Sequence, residues 1–204
     1  MVKKKLCVLG IDYSLNGTGL SVYDGKDIIC KKVFTTTKKD VDKNPDVFIY
    51  VPKMEDTMNK IDIVTQTILD CIDVKFNFAC MEDHIGRYYN WMDGYGVMKH
   101  LLRKQHIPHL MASPTSIKKY AGNGKADKNM MSFFLKDSYG FDLDYLGKLA
   151  NNIVDASWMA ILGYSFYKLH IEKDKKYMET PARWKILKTL ADKNKLLINS
   201  ILED

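Results

Sequence analysis

Three acidic residues stand where the chain is otherwise strongly apolar. Asp12 directly follows the apolar run of residues 6–11, and Glu82 directly follows a second such run. Asp155 lies inside the apolar stretch 153–160. A carboxylate at the end of a buried strand is costly to remove from water unless a cation or hydrogen bonds compensate its charge. Three such groups predict a metal site, whereas the alternative is three separate structural acids at the ends of buried elements.

The apolar pattern predicts strands and helices that would bring these acids together. Five short segments have strand character: residues 6–11, 20–23, 28–34, 76–82 and 109–112. Apolar residues recur at helical spacing in further segments, at about 54–71, 93–105, 115–120, 127–139 and 151–170. Three strands joined by tight turns, then alternating helices and strands, predict an α/β fold with a mixed five-stranded sheet flanked by helices. In such a sheet Asp12 is central, Glu82 lies on a neighbouring strand, and the helix carrying Asp155 packs over both.

The length and composition favour one intracellular domain with a short extension. We predict a main domain over residues 1–172 and an extension over 173–204. In the extension, a charged linker precedes an amphipathic helix that starts at Thr180 and Pro181. The cysteines have no C-x-x-C spacing, which favours reduced core thiols over a disulfide framework or a zinc site. No segment has the length of a signal peptide or a membrane span, so we expect a soluble cytoplasmic protein without a membrane partner.

The chain carries a net charge of +6, and many of its basic residues lie in one segment. The segment runs from residue 99 to residue 128 and contains one acid, Asp127. Its basic residues are Lys99, Arg103, Lys104, Lys118, Lys119, Lys125 and Lys128. A basic segment that faces an acidic pocket suits a polyanionic substrate that must reach a metal. The alternative is an ordinary solvated surface.

Short motifs follow one another in a fixed order between residues 6 and 167. They are Gly10-Ile11-Asp12-Tyr13-Ser14 with Gly17-Thr18-Gly19, Met81-Glu82, Gly124-Lys125-Ala126-Asp127-Lys128 and Asn151-Asn152-Ile153-Val154-Asp155-Ala156. Each motif alone has little specificity, but the ordered set resembles the RuvC family of Holliday junction resolvases, and in particular its phage-type members. That family belongs to the ribonuclease H-like superfamily.

The resemblance implies a ribonuclease H-like sheet and a crossover junction endodeoxyribonuclease that cleaves branched DNA with Mg²⁺, for which Mn²⁺ can substitute. By position, Asp12, Glu82 and Asp155 would be the catalytic metal ligands, and hard oxygen ligands suit Mg²⁺. Two ions about 4 Å apart would activate a water and stabilise the leaving oxygen. Lys128 would lie close to the scissile phosphate and offset its developing charge.

Asn152 departs from the family pattern, which has a fourth acid at this position. Residues three apart share a helix face, so Asn152 can still point at the same site as Asp155. An amide oxygen can ligate Mg²⁺, although it binds more weakly than a carboxylate. Three interpretations stay open: a natural metal ligand, a chain whose activity is reduced or lost, and an engineered Asp-to-Asn variant. The second would make the protein a non-catalytic or weakly active branched-DNA-binding protein.

Aromatic residues follow Glu82 and are candidates for reading the branch point. Stacking on an unpaired base contributes about 1–3 kcal/mol per base. The alternative is that these rings pack on a neighbouring element or in a dimer interface. The candidate DNA-binding residues are Arg87, Tyr88, Tyr89, Trp91, Lys118, Lys119 and Lys125. A four-way junction has two-fold symmetry and needs two cuts, so we also expect a homodimer.

The first motif also resembles the phosphate-binding turn of sugar kinases and actin-like ATPases. Those folds need two such lobes, and 204 residues are too few to build them. An ATPase would also leave Glu82 and Asp155 without a role. We therefore expect no nucleotide cofactor.

Overall fold

The computed structural model describes residues 5–83, 89–178 and 180–203, and these form one mixed six-stranded sheet. The strands are β1 (Val8–Asp12), β2 (Gly19–Tyr23), β3 (Ile28–Thr35), β4 (Phe48–Tyr50), β5 (Phe78–Glu82) and β6 (His109–Ala112). Their order across the sheet is β4-β3-β2-β1-β5-β6. The first three strands are antiparallel, whereas β4 runs parallel to β3, β5 to β1 and β6 to β5.

Helices cover both faces of this sheet. They are α1 (Lys38–Lys43), α2 (Thr57–Asp70), α3 (Tyr89–Lys104), α4 (Pro114–Ala121), α5 (Lys128–Tyr139), α6 (Ala150–His170), α7 (Pro181–Lys193) and α8 (Lys195–Glu203). One layer of buried side chains joins the sheet to α2 and α3. The other joins it to α4, α5, α6 and α7. The central strand β1 contributes to both layers, with Leu9 and Ile11 on the first side and Val8 on the second. This explains why its sequence is continuously apolar.

The long helix α6 lies across the centre of the sheet and approaches it unusually closely. A Cβ atom on Gly10 would overlap the carbonyl oxygen of Ala156, and one on Gly19 would overlap that of Asn152. Glycine at these two strand positions therefore sets the distance between helix and sheet. Most of the α6 side chains are buried, which accounts for its apolar composition. Among the described residues, no helix is both long enough and apolar enough to span a membrane.

The predicted α/β fold is confirmed, but the predicted number of strands was one too low. The additional strand is β4, which pairs with β3 from Val33↔Phe48 to Thr35↔Tyr50. It lies between the predicted strand 28–34 and the predicted helix 54–71, where the sequence pattern predicted no strand. With only three residues at the edge of the sheet, it is too short to show the alternation that identifies a strand.

The C-terminal extension forms two helices where the sequence pattern predicted one. Helix α7 is followed by Asn194, whose backbone is not helical, and α8 begins at the next residue. Leu187 and Leu190 of α7 are buried in the same layer as α6. The extension therefore packs directly against the main core.

Candidate active site

Asp12 and Glu82 are the last residues of two adjacent parallel strands. In the pairing of β1 with β5, Ile11 lies opposite Met81, so the next residues along the two strands are the two acids. Since neighbouring parallel strands end at the same edge of a sheet, both acids lie at that edge. Asp12 also pairs with Gly19 of β2, which places it between its two neighbouring strands.

Both acids are on the sheet face that packs against α6. Side chains alternate along a strand, so Asp12 shares a face with Gly10, and Glu82 shares one with Cys80. Gly10 abuts the α6 backbone, and a Cβ on Gly163 of α6 would lie 2.9 Å from the Cβ of Cys80. On α6, Asp155 lies between the two points where the helix touches the sheet, at Asn152 and Ala156. The close contact at the two strand glycines thus brings Asp155 to the edge where the strands end.

The three carboxylates interact electrostatically. Burial raises the pKa of Asp12 well above its usual range, and the negative charges of Asp155 and Glu82 add to this effect. Burial, followed by the charge of Asp155, raises the pKa of Glu82 to about 7. Burial also raises the pKa of Asp155. Desolvated acids that repel one another form a site whose charge favours a bound cation.

Two lysines from separate helices face this cluster. Lys128 is the first residue of α5, where the side chain of Asp127 caps the helix by accepting a hydrogen bond from the Met130 amide at 2.9 Å. Its positive charge lowers the pKa values of both Asp12 and Asp155, against the larger effect of burial. Lys128 therefore acts electrostatically on both acids, and its predicted role beside the scissile phosphate stays a prediction.

Lys118 of α4 is the second lysine near the carboxylates. Its charge lowers the pKa values of Glu82 and Asp155, again against the effect of burial. The sequence had suggested only a role in DNA binding for it. Lys119 and Lys125 are exposed, and the methylene groups of Lys119 pack beside Gly124 in the following turn. These two lysines are therefore accessible to a large anionic partner.

The acids do not form a closed ligand cage in this conformation. Within the described ranges, no group of three or more His, Cys, Asp or Glu side chains is arranged closely enough to hold an ion. Mg²⁺ is usually bound by one or two carboxylates together with water and substrate phosphates, and needs no complete protein cage. The oxygen-only donor set of Asp12, Glu82 and Asp155 therefore fits the chemistry of that ion.

The side chain of Asn152 joins α6 to the turn between β1 and β2. Its Nδ2 donates a hydrogen bond to the carbonyl oxygen of Gly17 at 2.5 Å. Within the turn, the Ser14 amide donates to the hydroxyl of Thr18 at 3.0 Å, and the Gly17 amide donates to the hydroxyl of Ser14 at 3.1 Å. Asn152 thus has a structural partner in addition to its predicted role as a ligand, which concerns its Oδ1 atom and stays a prediction.

Lys60 reaches the same turn from the opposite side of the sheet. This buried residue of α2 donates a hydrogen bond from Nζ to Oδ1 of Asn16. The residue pattern did not predict a role for it. A lysine on the apolar side of an amphipathic helix, between Met58 and Ile61, was the only available signal. Together with Asn152, it fixes the turn that follows Asp12.

Tyr95 of α3 is a further residue near the acids that the sequence did not reveal. It is buried, and its hydroxyl donates to the carbonyl oxygen of Tyr13 at 3.5 Å. Burial raises its pKa, and the charges of Glu82 and Asp12 raise it further. At Gly94 a Cβ would overlap the hydroxyl of Tyr13, so the small residue lets α3 approach β1 here.

The structure describes only part of the predicted junction-reading segment. Arg87 and Tyr88 fall outside the described residues. Tyr89 and Trp91 are in the first turn of α3, but their side chains are also outside the description. The stacking role of these residues stays a prediction.

Comparison with solved structures identifies proteins of the same architecture. Thermus thermophilus RuvC superposes with a TM-score of 0.55 at 16% identity, covering 76% of this chain and 92% of RuvC. T. thermophilus RuvC in complex with a Holliday junction substrate gives a TM-score of 0.56 at 16% identity, covering 78% of this chain and 94% of that one. The yeast mitochondrial Holliday junction resolvase Ydc2 covers 99% of this chain and 87% of its own, with a TM-score of 0.51 at 13% identity.

Sequence comparison adds nothing to these structural relationships. No protein-family model matches the chain, and no curated protein is significantly similar to it in sequence. The likeness at 13–16% identity therefore concerns the fold. The chain has the ribonuclease H-like fold of RuvC and Ydc2, as its motifs predicted.

Proposed function

We propose that this protein is a metal-dependent endonuclease that binds and cleaves branched DNA such as four-way junctions. The observation that carries the proposal is the convergence of Asp12, Glu82 and Asp155, from β1, β5 and α6, with Lys118 and Lys128 beside them. The shared fold adds support, because one solved structure of RuvC contains a Holliday junction substrate and Ydc2 is a Holliday junction resolvase.

The donor set supports Mg²⁺ as the cofactor, with Mn²⁺ as a substitute. Asp12, Glu82 and Asp155 would hold the metal, and the Oδ1 atom of Asn152 would be a weaker fourth ligand. When bound, the metal would activate a water and stabilise the charge that develops on the leaving oxygen. Burial raises the pKa values of Asp12 and Asp155, and the neighbouring acids raise that of Asp12 further, so a bound cation would favour the charged forms of these carboxylates.

The lysines would act on the DNA itself. Lys118 and Lys128 place positive charge next to the acids, where it can offset the negative charge of a phosphate drawn into the site. Lys119 and Lys125, which are exposed, would contact other phosphates of the DNA. We further propose a homodimer, because a junction needs two symmetric cuts. We also propose that the protein acts in the cytoplasm of a bacterial or phage-infected cell.

A second candidate is a branched-DNA-binding protein with little or no catalytic activity. The observation that favours it concerns Asn152, whose Nδ2 donates to the carbonyl oxygen of Gly17. The family pattern that the motifs resemble has an acid at this position. A site with one carboxylate fewer binds divalent ions more weakly. Both candidates predict selective binding of junctions, and they differ in whether any metal concentration supports cleavage.

One experiment separates these candidates. A synthetic four-way junction, a flapped duplex and a linear duplex of the same sequence are incubated with the protein, and Mg²⁺ or Mn²⁺ is titrated against an EDTA control. We expect metal-dependent cuts in the branched substrates and little cleavage of the linear duplex. Selective binding of junctions without cleavage at any metal concentration would establish the second candidate. Equal cleavage of all substrates would refute structure selectivity. A separate thermal-shift assay with ATP tests the actin-like ATPase alternative, which stabilisation by ATP would favour.

A further inference from the structure

Arg183 of α7 lies in a cage of three aromatic rings. The carbon at the centre of its guanidinium group is 4.8 Å from the ring centroid of Tyr120 and 5.9 Å from those of Tyr139 and Trp158. Its Nε donates to the carbonyl oxygen of Tyr120 at 2.9 Å, and its Nη1 donates to the hydroxyl of Tyr139 at 3.3 Å. Arg183 thus combines cation–π contacts with hydrogen bonds from its guanidinium N–H groups, and this combination makes the contact strong and directional.

Each of the three rings belongs to a different helix. Tyr120 is in the last turn of α4, Tyr139 is the last residue of α5, and Trp158 is in the middle of α6. The carbonyl of Tyr120 is one of those that a helix end leaves without an intrahelical partner, so the guanidinium also caps α4. The indole Nε1 of Trp158 donates to the carbonyl oxygen of Met131 in α5 at 3.0 Å, which ties α6 to α5. Arg183 therefore sits where three helices meet.

Apart from Asp12 and Glu82, which lie on strands, the charged residues of the candidate active site are on these three helices. Lys118 is on α4, Lys128 begins α5, and Asp155 precedes Trp158 by about one turn of α6. From this we propose that Arg183 is a positioning residue, which holds α4, α5 and α6 in the arrangement where both lysines face the carboxylates. The catalytic consequence rests on the proposed nuclease function, whereas the structural consequence does not.

The contacts of Arg183 distinguish this role from simple packing of α7. Leu187 and Leu190 bury the apolar side of α7 in the core and would hold the helix on the domain in any case. Arg183 adds bonds to the backbone of α4 and to the end of α5, and neither leucine replaces them. Loss of these bonds leaves α7 attached but releases the C-terminal end of α4, two residues from Lys118. A displacement of the order of 1 Å at a catalytic group can cost about a hundredfold in rate.

The test compares Arg183→Gln with two controls on the same helix. Lys188→Gln removes one positive charge from an exposed residue, and Leu187→Ala removes buried apolar contacts of α7 but keeps the guanidinium group of Arg183. We expect Arg183→Gln to slow single-turnover cleavage of a four-way junction by about tenfold or more, at a temperature where all variants are folded. In a Lys118→Ala/Lys128→Ala background, Arg183→Gln should slow cleavage by no more than about twofold, because the two lysines that Arg183 holds toward the carboxylates are absent.

A second measurement tests the inference without relying on cleavage. Amide hydrogen exchange in α4 and in the turn before α5 should be faster in Arg183→Gln than in the wild type, and faster than in Leu187→Ala. Unchanged hydrogen exchange in these segments would overturn the inference. So would an equal loss of cleavage rate from Arg183→Gln in the wild type and in the Lys118→Ala/Lys128→Ala variant. If the wild type cleaves no DNA, the proposed function fails while the exchange result still decides the role of Arg183. If Arg183→Gln does not fold, Arg183→Lys takes its place in both measurements. Lysine keeps the positive charge but lacks the planar guanidinium group with its several donors.

Discussion

The side-chain amide of Asn152 donates a hydrogen bond to the carbonyl oxygen of Gly17, 135 residues away in the sequence. This contact links α6, which carries Asp155, to the turn that follows Asp12. The carbonyl oxygen of Asn152 also lies against Gly19, at the point of closest approach between helix and sheet. One residue thus connects the helical acid to the strand acid, at the position where the family pattern that the motifs resemble has a fourth acid.

This contact changes what is expected of Asn152→Asp. A carboxylate cannot donate to Gly17 and would place negative charge against a carbonyl oxygen, so the metal-free variant should lose about 1–3 kcal/mol of unfolding free energy. Mg²⁺ should stabilise the variant more than the wild type, because the added charge can face the metal, and cleavage at low metal concentration should rise. Thermal unfolding with and without Mg²⁺, beside cleavage assays, measures both effects. Asn152→Ala is the control that loses the hydrogen bond without adding charge, and equal responses of all three proteins to Mg²⁺ would show that residue 152 does not contact the metal.

Neutralising any one site acid should abolish cleavage and spare the fold. Asp12→Asn, Glu82→Gln and Asp155→Asn each remove a metal ligand, and each also relieves repulsion between desolvated carboxylates. We therefore expect no detectable cleavage, nearly unchanged junction binding, and metal-free stability equal to or above that of the wild type. Asp62→Asn, at an exposed position on α2, is the control. Wild-type cleavage rates in two of the three variants would refute the site assignment.

Removing Lys118, Lys119 and Lys125 together should weaken binding to junction and duplex alike. Phosphate contacts carry no information about branching, and each lost contact should reduce the slope of log K against log[salt] by about 0.9. Binding titrations at several salt concentrations give this slope. A matched variant lacking three exposed lysines of α7, Lys185, Lys188 and Lys193, should change the slope less. An equal change in both variants would indicate a diffuse effect of net charge.

The aromatic residues after Glu82 should affect selectivity more than affinity for duplex. Stacking on an unpaired base contributes about 1–3 kcal/mol, and a continuous duplex offers no such base. Replacing Tyr88 and Tyr89 by leucine should therefore reduce the preference for a four-way junction, with little change in duplex binding. Competition between labelled junction and unlabelled duplex measures the ratio directly. Equal losses on both substrates would argue against stacking.

Acid sensitivity should depend in part on Asp24, far from the candidate active site. Burial would raise its pKa, but hydrogen bonds from the backbone of Asp27 and Lys26 and from Lys5 outweigh this and lower it from 3.8 to about 2. A pKa lowered by folding adds stability above the unfolded value, and that stability is lost as the pH falls from about 4 to 2. Asp24→Asn, which keeps an acceptor oxygen, should lose stability at neutral pH and show a shallower loss in this window. Urea unfolding at several pH values tests this, with Asp70→Asn as a charge-matched control.

Much of the site could be predicted from the sequence because its signals are local. Asp12 and Glu82 interrupt apolar runs, and such a break identifies both the buried strand and the acid at its end. The helix around Asp155 is similarly evident from its composition. Turn and cap residues such as Asp127 also act within a few positions, so the start of α5 at Lys128 was predictable. These features depend on the interaction of a residue with its near neighbours in the chain.

Other features were decided only by the tertiary structure. The alignment of Ile11 with Met81 joins strands 70 residues apart in the sequence, and the donation from Asn152 to Gly17 spans a still longer separation. The approach of Lys118 to the acids, the hydrogen bond from Lys60 and the aromatic cage of Arg183 likewise need several elements to pack in one arrangement. The sequence indicates the longer elements and most of their buried faces, because those depend on local periodicity and solvation, whereas the short strand β4 and the burial of Lys60 could not be predicted from it. Distances between remote side chains depend on how every layer packs at once, so only the folded chain defines them.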